Sequence, residues 1–229
     1  MFRNRIAVCV AVLSAFGLLA APAPANLLVD PGFEFNPLTS YVNVLNNFAT
    51  YQGQWGVESA TITGVDGGVS PAGGSKMLRM TDDGLIATQA FQVTDVTAYA
   101  SLIDSGAGIV TLSALLNVDS NVPAAIGGVT VLFFSAANFG SQIGTPIISN
   151  INLDSQPGTW EVAVLSGGIP VNTRWLVTQV AYSNASLIGN DGAIHPGYVD
   201  DTRLVITPEP ASLLLLGLGS ATLLLRRRS

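Results

Sequence analysis

Cysteine occurs once in the 229 residues, at Cys9, inside the first apolar run. The rest of the chain therefore has no disulfide, no thiol nucleophile and no cysteine-ligated zinc. Histidine is as scarce. His195 stands alone, so three-histidine and histidine–cysteine metal centres are excluded, and it reads as an ordinary turn residue ahead of the last strand. Positive charge is nearly absent from the middle of the chain. Between Asn26 and Thr207 only Lys76, Arg79, Arg174 and Arg203 are basic, against fourteen Asp and Glu, a net charge of −10. Such a surface repels nucleic acid and anionic lipid, which excludes both as direct partners. Phosphate loops are also missing, because Gly67-Gly68 and Gly73-Gly74 lack the following Lys-Ser/Thr and helix.

The two ends carry what the middle lacks. Arg3 and Arg5 precede an uncharged apolar run from Ile6 to Ala21, and Ala23-Pro24-Ala25 offers a small-x-small cleavage pattern. Residues 1–25 therefore read as a signal peptide, a helix handled by the general secretion machinery and signal peptidase, with an uncleaved anchor as the alternative. Asn26 starts the mature chain on this reading. At the other end, Pro208-Glu209-Pro210 precedes fifteen uncharged residues, 211–225, and then Arg226-Arg227-Arg228. As a helix, fifteen residues reach about 22 Å, short of the roughly 30 Å hydrocarbon core. That length suits a segment that stays in the inner membrane transiently, with the arginines held at the cytoplasmic face, better than a permanent tail anchor.

Between the ends no helical periodicity holds over a long window. Short apolar or alternating runs are punctuated by Gly, Pro, Asn and Asp. Strands are expected at Leu27–Val29 with Phe33–Phe35, and at Trp55–Thr63, Lys76–Met80, Ile86–Val93, Ile109–Val118, Val129–Phe134, Thr159–Leu165, Arg174–Tyr182 and Tyr198–Ile206. Ile109–Val118 places Val110, Leu112, Ala114, Leu116 and Val118 on one face, with Thr111, Ser113 and Asn117 on the other. Val129–Phe134 is apolar except for Thr130 and reads as a central strand. Nine such runs separated by Gly-rich turns indicate an all-β fold, an antiparallel sandwich or barrel, in a single domain over residues 26–206.

Five stretches, in order, resemble the galactose-binding-like jelly roll of carbohydrate-binding modules. They are the opening Asn26-Leu27-Leu28-Val29-Asp30-Pro31-Gly32-Phe33-Glu34, then Gly73–Met80, Val131–Phe134 with Ala136-Ala137-Asn138, Pro157-Gly158-Thr159-Trp160, and the closing Tyr198–Leu204. Asp30 departs from that group's usual Asn. The resemblance implies a jelly-roll β-sandwich and a structural calcium held by the side chains of Glu34 and Asp201 and the carbonyl of Lys76. Calcium needs six to eight oxygens, which strands meeting at one end of a sandwich can share. The alternative is that the two carboxylates bond local backbone without metal. Alternation along the last strand turns Asp200 to the other face.

The C-terminal order, residues 207–229, resembles the PEP-CTERM sorting signal. That resemblance implies recognition by exosortase through Pro208, Glu209, Pro210 and Arg226–Arg228, and delivery to the outer surface or extracellular matrix of a bacterium that makes exopolysaccharide. Neither acidic pair, Asp82-Asp83 in a turn or Asp200-Asp201 on a strand, is arranged to share a substrate as a glycoside hydrolase requires. The chain is therefore expected to be non-catalytic. Sugar binding calls for aromatic faces with nearby amides. Tyr41, Tyr51 and Trp55, in or beside the long loop from Asn36 to Gln54, are the candidates, with core packing as the alternative for each. Three functions stay open: an adhesive, exopolysaccharide-associated surface protein, a carbohydrate-binding module with a defined pocket, and an exported hydrolase.

Overall fold

The computed structural model describes residues 24–35, 37–81 and 87–209. The signal helix, the apolar segment 211–225, Pro210, Arg226–Arg228 and the Asp82-Asp83 turn lie outside the described residues.

Eleven strands form among the described residues: β1 (Thr39–Ser40), β2 (Trp55–Val57), β3 (Ala60–Thr63), β4 (Met77–Met80), β5 (Ala87–Asp95), β6 (Gly108–Val118), β7 (Ile126–Phe134), β8 (Gln142–Asn152), β9 (Glu161–Gly168), β10 (Trp175–Ser183) and β11 (Gly197–Pro208). They build two sheets, one ordered β1-β2-β5-β10-β7-β8 and the other β3-β4-β11-β6-β9. All pairings are antiparallel except the short β1–β2 contact. The result is the jelly-roll sandwich expected from the sequence.

The period-2 pattern dictates the core. Val110, Leu112, Ala114, Leu116 and Val118 of β6 are all buried and meet Val129, Val131 and Phe133 of β7 and Leu176 and Val180 of β10 across the sandwich. Tyr182 is the polar tenant of this interior. Its hydroxyl donates to the Tyr198 carbonyl and accepts from the Asn117 N–H at 3.2 Å. Its ring needs glycine on both sides: a Cβ on Gly197 would lie 2.6 Å from it, and one on Gly127 3.0 Å.

Two expected strands take other forms. Trp55–Thr63 breaks into β2 and β3, which belong to different sheets. The opening segment forms no strand and instead stitches the sheets together. Asn26 Oδ1 accepts from Leu204 N–H at 2.9 Å and its Nδ2 donates to Thr202 O at 2.8 Å, so a side chain completes the edge of β11. Val29 is held from the other sheet by Gln92, whose amide accepts from its N–H at 2.8 Å and donates to its carbonyl at 2.9 Å. Gln92 is fully buried, and this double bond satisfies it.

Three short α-helices, α1 (Tyr41–Asn46), α2 (Phe48–Tyr51) and α3 (Ala100–Asp104), complete the described fold. No helix among the described residues is long and apolar enough to cross a membrane. At the far end, Pro208 closes β11 opposite Gly108, and the Glu209 N–H bonds Ala107 O at 2.7 Å. The first two residues of the C-terminal motif are thus paired to the sheet.

Candidate functional site

The outer face of the six-stranded sheet divides in two. One half is apolar: Phe91 and Val93 of β5, Phe134 of β7 and Val177 of β10 are buried there under Val44 of α1 and Phe48 of α2. Phe48 meets Phe134 edge-on at 5.0 Å, and Tyr41 stacks on Phe91 at 5.9 Å. Gly56 of β2 makes this possible, because a Cβ there would lie 2.9 Å from the Tyr41 Cα. Helix α1 can therefore lie directly on the strand.

The other half is open and polar. Strand register places Phe91, Gln179, Thr130 and Ile148 in one row across β5, β10, β7 and β8, and Gln89, Ala181, Gly128 and Asn150 in the next. Gln179 Nε2 donates to Gln89 Oε1, and Gln89 Nε2 donates to Glu58 Oε1 at 3.3 Å. The Glu58 N–H in turn bonds Gln89 O at 3.3 Å. A carboxylate therefore fixes one amide, which fixes the next, and the ladder ends beside the Tyr41–Phe91 stack. Ile148, 61% exposed, stands across from Thr130. Amides donate and accept as sugar hydroxyls do, while Ile148 and the tyrosine ridge offer apolar surface to the C–H face of a ring.

The predicted aromatic residues part company here. Tyr41 and Tyr51 lie half-buried on the helical ridge beside the ladder. Trp55 does not reach solvent. It is 1% exposed in the core, 5.0 Å from the Phe33 ring, and its Nε1–H donates to Asp30 O at 3.1 Å. The opening segment folds over it, so the reading of Trp55 as a ligand-facing residue is corrected to core packing. Glu58, Gln89 and Gln179 carried no motif. Only strand pairing joins them.

Of the three residues expected to hold calcium, Glu34 and Lys76 are brought together, while Asp201 is exposed. A bulge in β11 between Asp200 and Arg203, with Asp201 at φ 42°, resets the alternation of the strand. Asp201 consequently turns out to solvent, and Asp200, 1% exposed, turns in, the reverse of the expected facing. Asp200 Oδ2 accepts from the N–H groups of Ala72 and Gly73 at 2.8 and 3.1 Å, and Oδ1 from Asp201 N–H at 2.7 Å. Glu34 fastens the other end of the same loop. Its Oε1 accepts from Ser75 and Lys76 N–H at 2.7 and 2.8 Å, and its Oε2 from the Ser75 hydroxyl at 2.9 Å. These donors, Ser75 foremost, hold the Glu34 carboxyl below its ordinary range. They also point their positive ends where a cation would have to approach, so this donor set does not fit calcium and fits the alternative of local backbone bonding. Among the described residues no group of three or more His, Cys, Asp or Glu is placed to hold an ion.

His195 is more than a turn residue. Its Nδ1 lies 2.7 Å from Asp119 Oδ2 and its Nε2 3.1 Å from Asp191 Oδ1, which ties the turn after β6 to the loop before β11. Gly189 packs against the ring, where a Cβ would come within 2.5 Å. Both ring nitrogens are engaged, which leaves neither to take a proton from a substrate. Asp191 and then Asp119 raise the His195 pKa, against the opposing effect of burial, and the Ala193 N–H and His195 lower that of Asp191. A raised folded-state pKa means that the contribution of His195 to stability is complete below about 6.5, its unfolded value, and is lost as pH rises through the folded value. The Asp191 contribution has the opposite sense, present above the ordinary Asp range and lost in acid. Thermal unfolding between pH 5 and 9 should show wild type losing more stability on the alkaline side than His195→Gln. Parallel profiles would refute the clamp.

These features define a β-sandwich of the jelly-roll class with an open polar face on its six-stranded sheet. Residues 207–228 match the PEP-CTERM protein-sorting motif. The chain is similar to solved carbohydrate-binding structures. One is TmCBM61 in complex with beta-1,4-galactotriose, at 14% identity and TM-score 0.48 over 81% of this chain and 99% of that one. Another is the CBM22-2 xylan-binding domain from Paenibacillus barcinonensis Xyn10C, at 15% identity and TM-score 0.47 over 71% and 98%. It is also similar to the enzymatically active domain of bacteriophage CBA120 tailspike protein 4, at 11% identity and TM-score 0.45 over 71% of this chain and 22% of that one. No curated protein matches the sequence.

Proposed function

We propose that this protein is an exported, non-catalytic glycan-binding protein, processed by exosortase and held at the outer surface or in the matrix, where it associates with exopolysaccharide. One observation carries the binding role: the Glu58–Gln89–Gln179 ladder, fixed by its own hydrogen bonds, lies open beside the Tyr41–Phe91 stack. Such a face is pre-organised, so a ligand does not bear the full entropy of ordering the amides. The sorting motif supports export. The finer roles of adhesion and matrix association follow from a surface destination joined to a sugar-binding face.

The test is a glycan array probed with the purified exported protein, beside Gln179→Ala and Thr130→Ala. Both positions are partly exposed, so the fold should survive either change. The expected result is retained folding with a roughly tenfold or greater loss of glycan affinity for Gln179→Ala. Wild-type protein that binds no glycan on the array would overturn the reading.

A further inference from the structure

The ladder has a charge character that selects among glycans, an inference that rests on the binding role just proposed. Glu58 is the acid at one end, and the rest of the open face is Gln89, Gln179, Thr130, Asn150, Ala181 and Ile148. None of these is a cation. The four basic residues of the domain are all committed elsewhere. Lys76 Nζ bonds Glu34 O at 3.0 Å, Arg79 pairs with Asp66 at 2.8 Å, Arg174 pairs with Asp104 at 2.6 Å, and Arg203 lies on β11 of the five-stranded sheet. Arg174 is the one nearest along β10, and it precedes Gln179 by five residues, about 16 Å of strand.

Acidic polysaccharides need a counter-charge, because a carboxylate or sulfate only accepts hydrogen bonds and must be compensated when it leaves water. Here it would meet Glu58 and the field of a domain with ten more acids than bases. Uncharged hydroxyls match the amides in both senses, as donors and as acceptors. The row from Glu58, just after β2, through Gln89 to Asn150 on β8 crosses four strand spacings, about 19 Å, which suits an oligosaccharide better than a single sugar.

We propose that the outer face of the six-stranded sheet takes an uncharged polysaccharide laid across its strands, and rejects chains that carry uronate or sulfate. Calorimetry with the purified exported protein would compare neutral hexose oligomers of increasing length with a galacturonate oligomer, at low and at moderate salt. Neutral oligomers should bind more tightly as they lengthen, and the galacturonate oligomer roughly tenfold more weakly or not at all at low salt, with the gap narrowing as salt is added. Glu58→Gln should raise galacturonate affinity. Binding should be lost in Gln179→Ala and kept in Phe35→Ala, a change in the separate groove lined by Phe35, Pro37, Ile62 and Lys76.

Equal or tighter binding of the galacturonate oligomer at low salt, abolished by Gln179→Ala, would overturn the charge selection and leave the site intact. Binding that survives Gln179→Ala and falls with Phe35→Ala would move the site to the groove. Absence of binding to every oligomer would overturn the glycan reading itself.

Discussion

Trp55→Ala is expected to cost roughly 3–5 kcal/mol of folding stability, the range for removing a large aromatic side chain from a packed core. The side chain is 1% exposed, lies against Phe33, and carries the only indole bond to the opening segment, Nε1–H to Asp30 O at 3.1 Å. Its loss opens a cavity and removes one of the bonds to the Asp30 carbonyl, which keeps the Phe33 N–H at 3.1 Å, at the turn where Asp30 and Phe33 both hold positive φ, at 49° and 58°. Urea unfolding at fixed pH would measure the effect. Trp55→Phe narrows the comparison, since it keeps a six-membered ring in the core and loses the N–H donor with the rest of the indole, at about 1–2 kcal/mol. Glycan affinity of the folded fraction should stay at the wild-type value in both variants, because Trp55 faces away from the ladder. A Trp55→Ala protein as stable as wild type but unable to bind glycan would return Trp55 to the binding surface and remove it from the core.

The sequence made legible what the period of a strand can carry. Ile109–Val118 alternates over enough residues that its inner face could be assigned residue by residue, and β6 buries that face. Strand β8 was missed. It is an edge strand with Gly144 and Pro146 and only partial burial along its length, so neither of its faces imposes an apolar period. Helices α1 and α2 were missed for a different reason. Six and four residues are too few to display a 3.6 repeat, and packing on β5 and β7 forms them rather than local propensity. The ladder was out of reach in principle, because its partners are 31 and 90 residues apart and become neighbours only through strand pairing. Asp200 and Asp201 were assigned the wrong way round because alternation assumes an unbroken strand, and the bulge between Asp200 and Arg203 breaks it at Asp201.

Asp200→Asn is the sharpest probe of that corner, with an expected loss of about 2–4 kcal/mol. The wild-type carboxylate accepts three N–H groups, two on Oδ2 and one on Oδ1. An amide has one acceptor oxygen. If it serves Ala72 and Gly73, its NH2 meets the Asp201 N–H donor to donor; if it turns over, the loop loses both of its bonds. Either way the strain falls on the link between β11 and the loop that Glu34 fastens from its other end. Asp201→Asn should cost a few tenths of a kcal/mol, as a substitution on an exposed residue usually does. The same melting series run with and without EGTA tests the metal reading directly. Since the N–H groups already fill the carboxylates, chelation is expected to leave the melting temperature where it is, while Asp200→Asn lowers it. A fall on chelation that calcium restores, present in wild type and absent in Asp200→Asn, would put a cation at this corner and require the Ala72–Lys76 loop to turn its donors away from it.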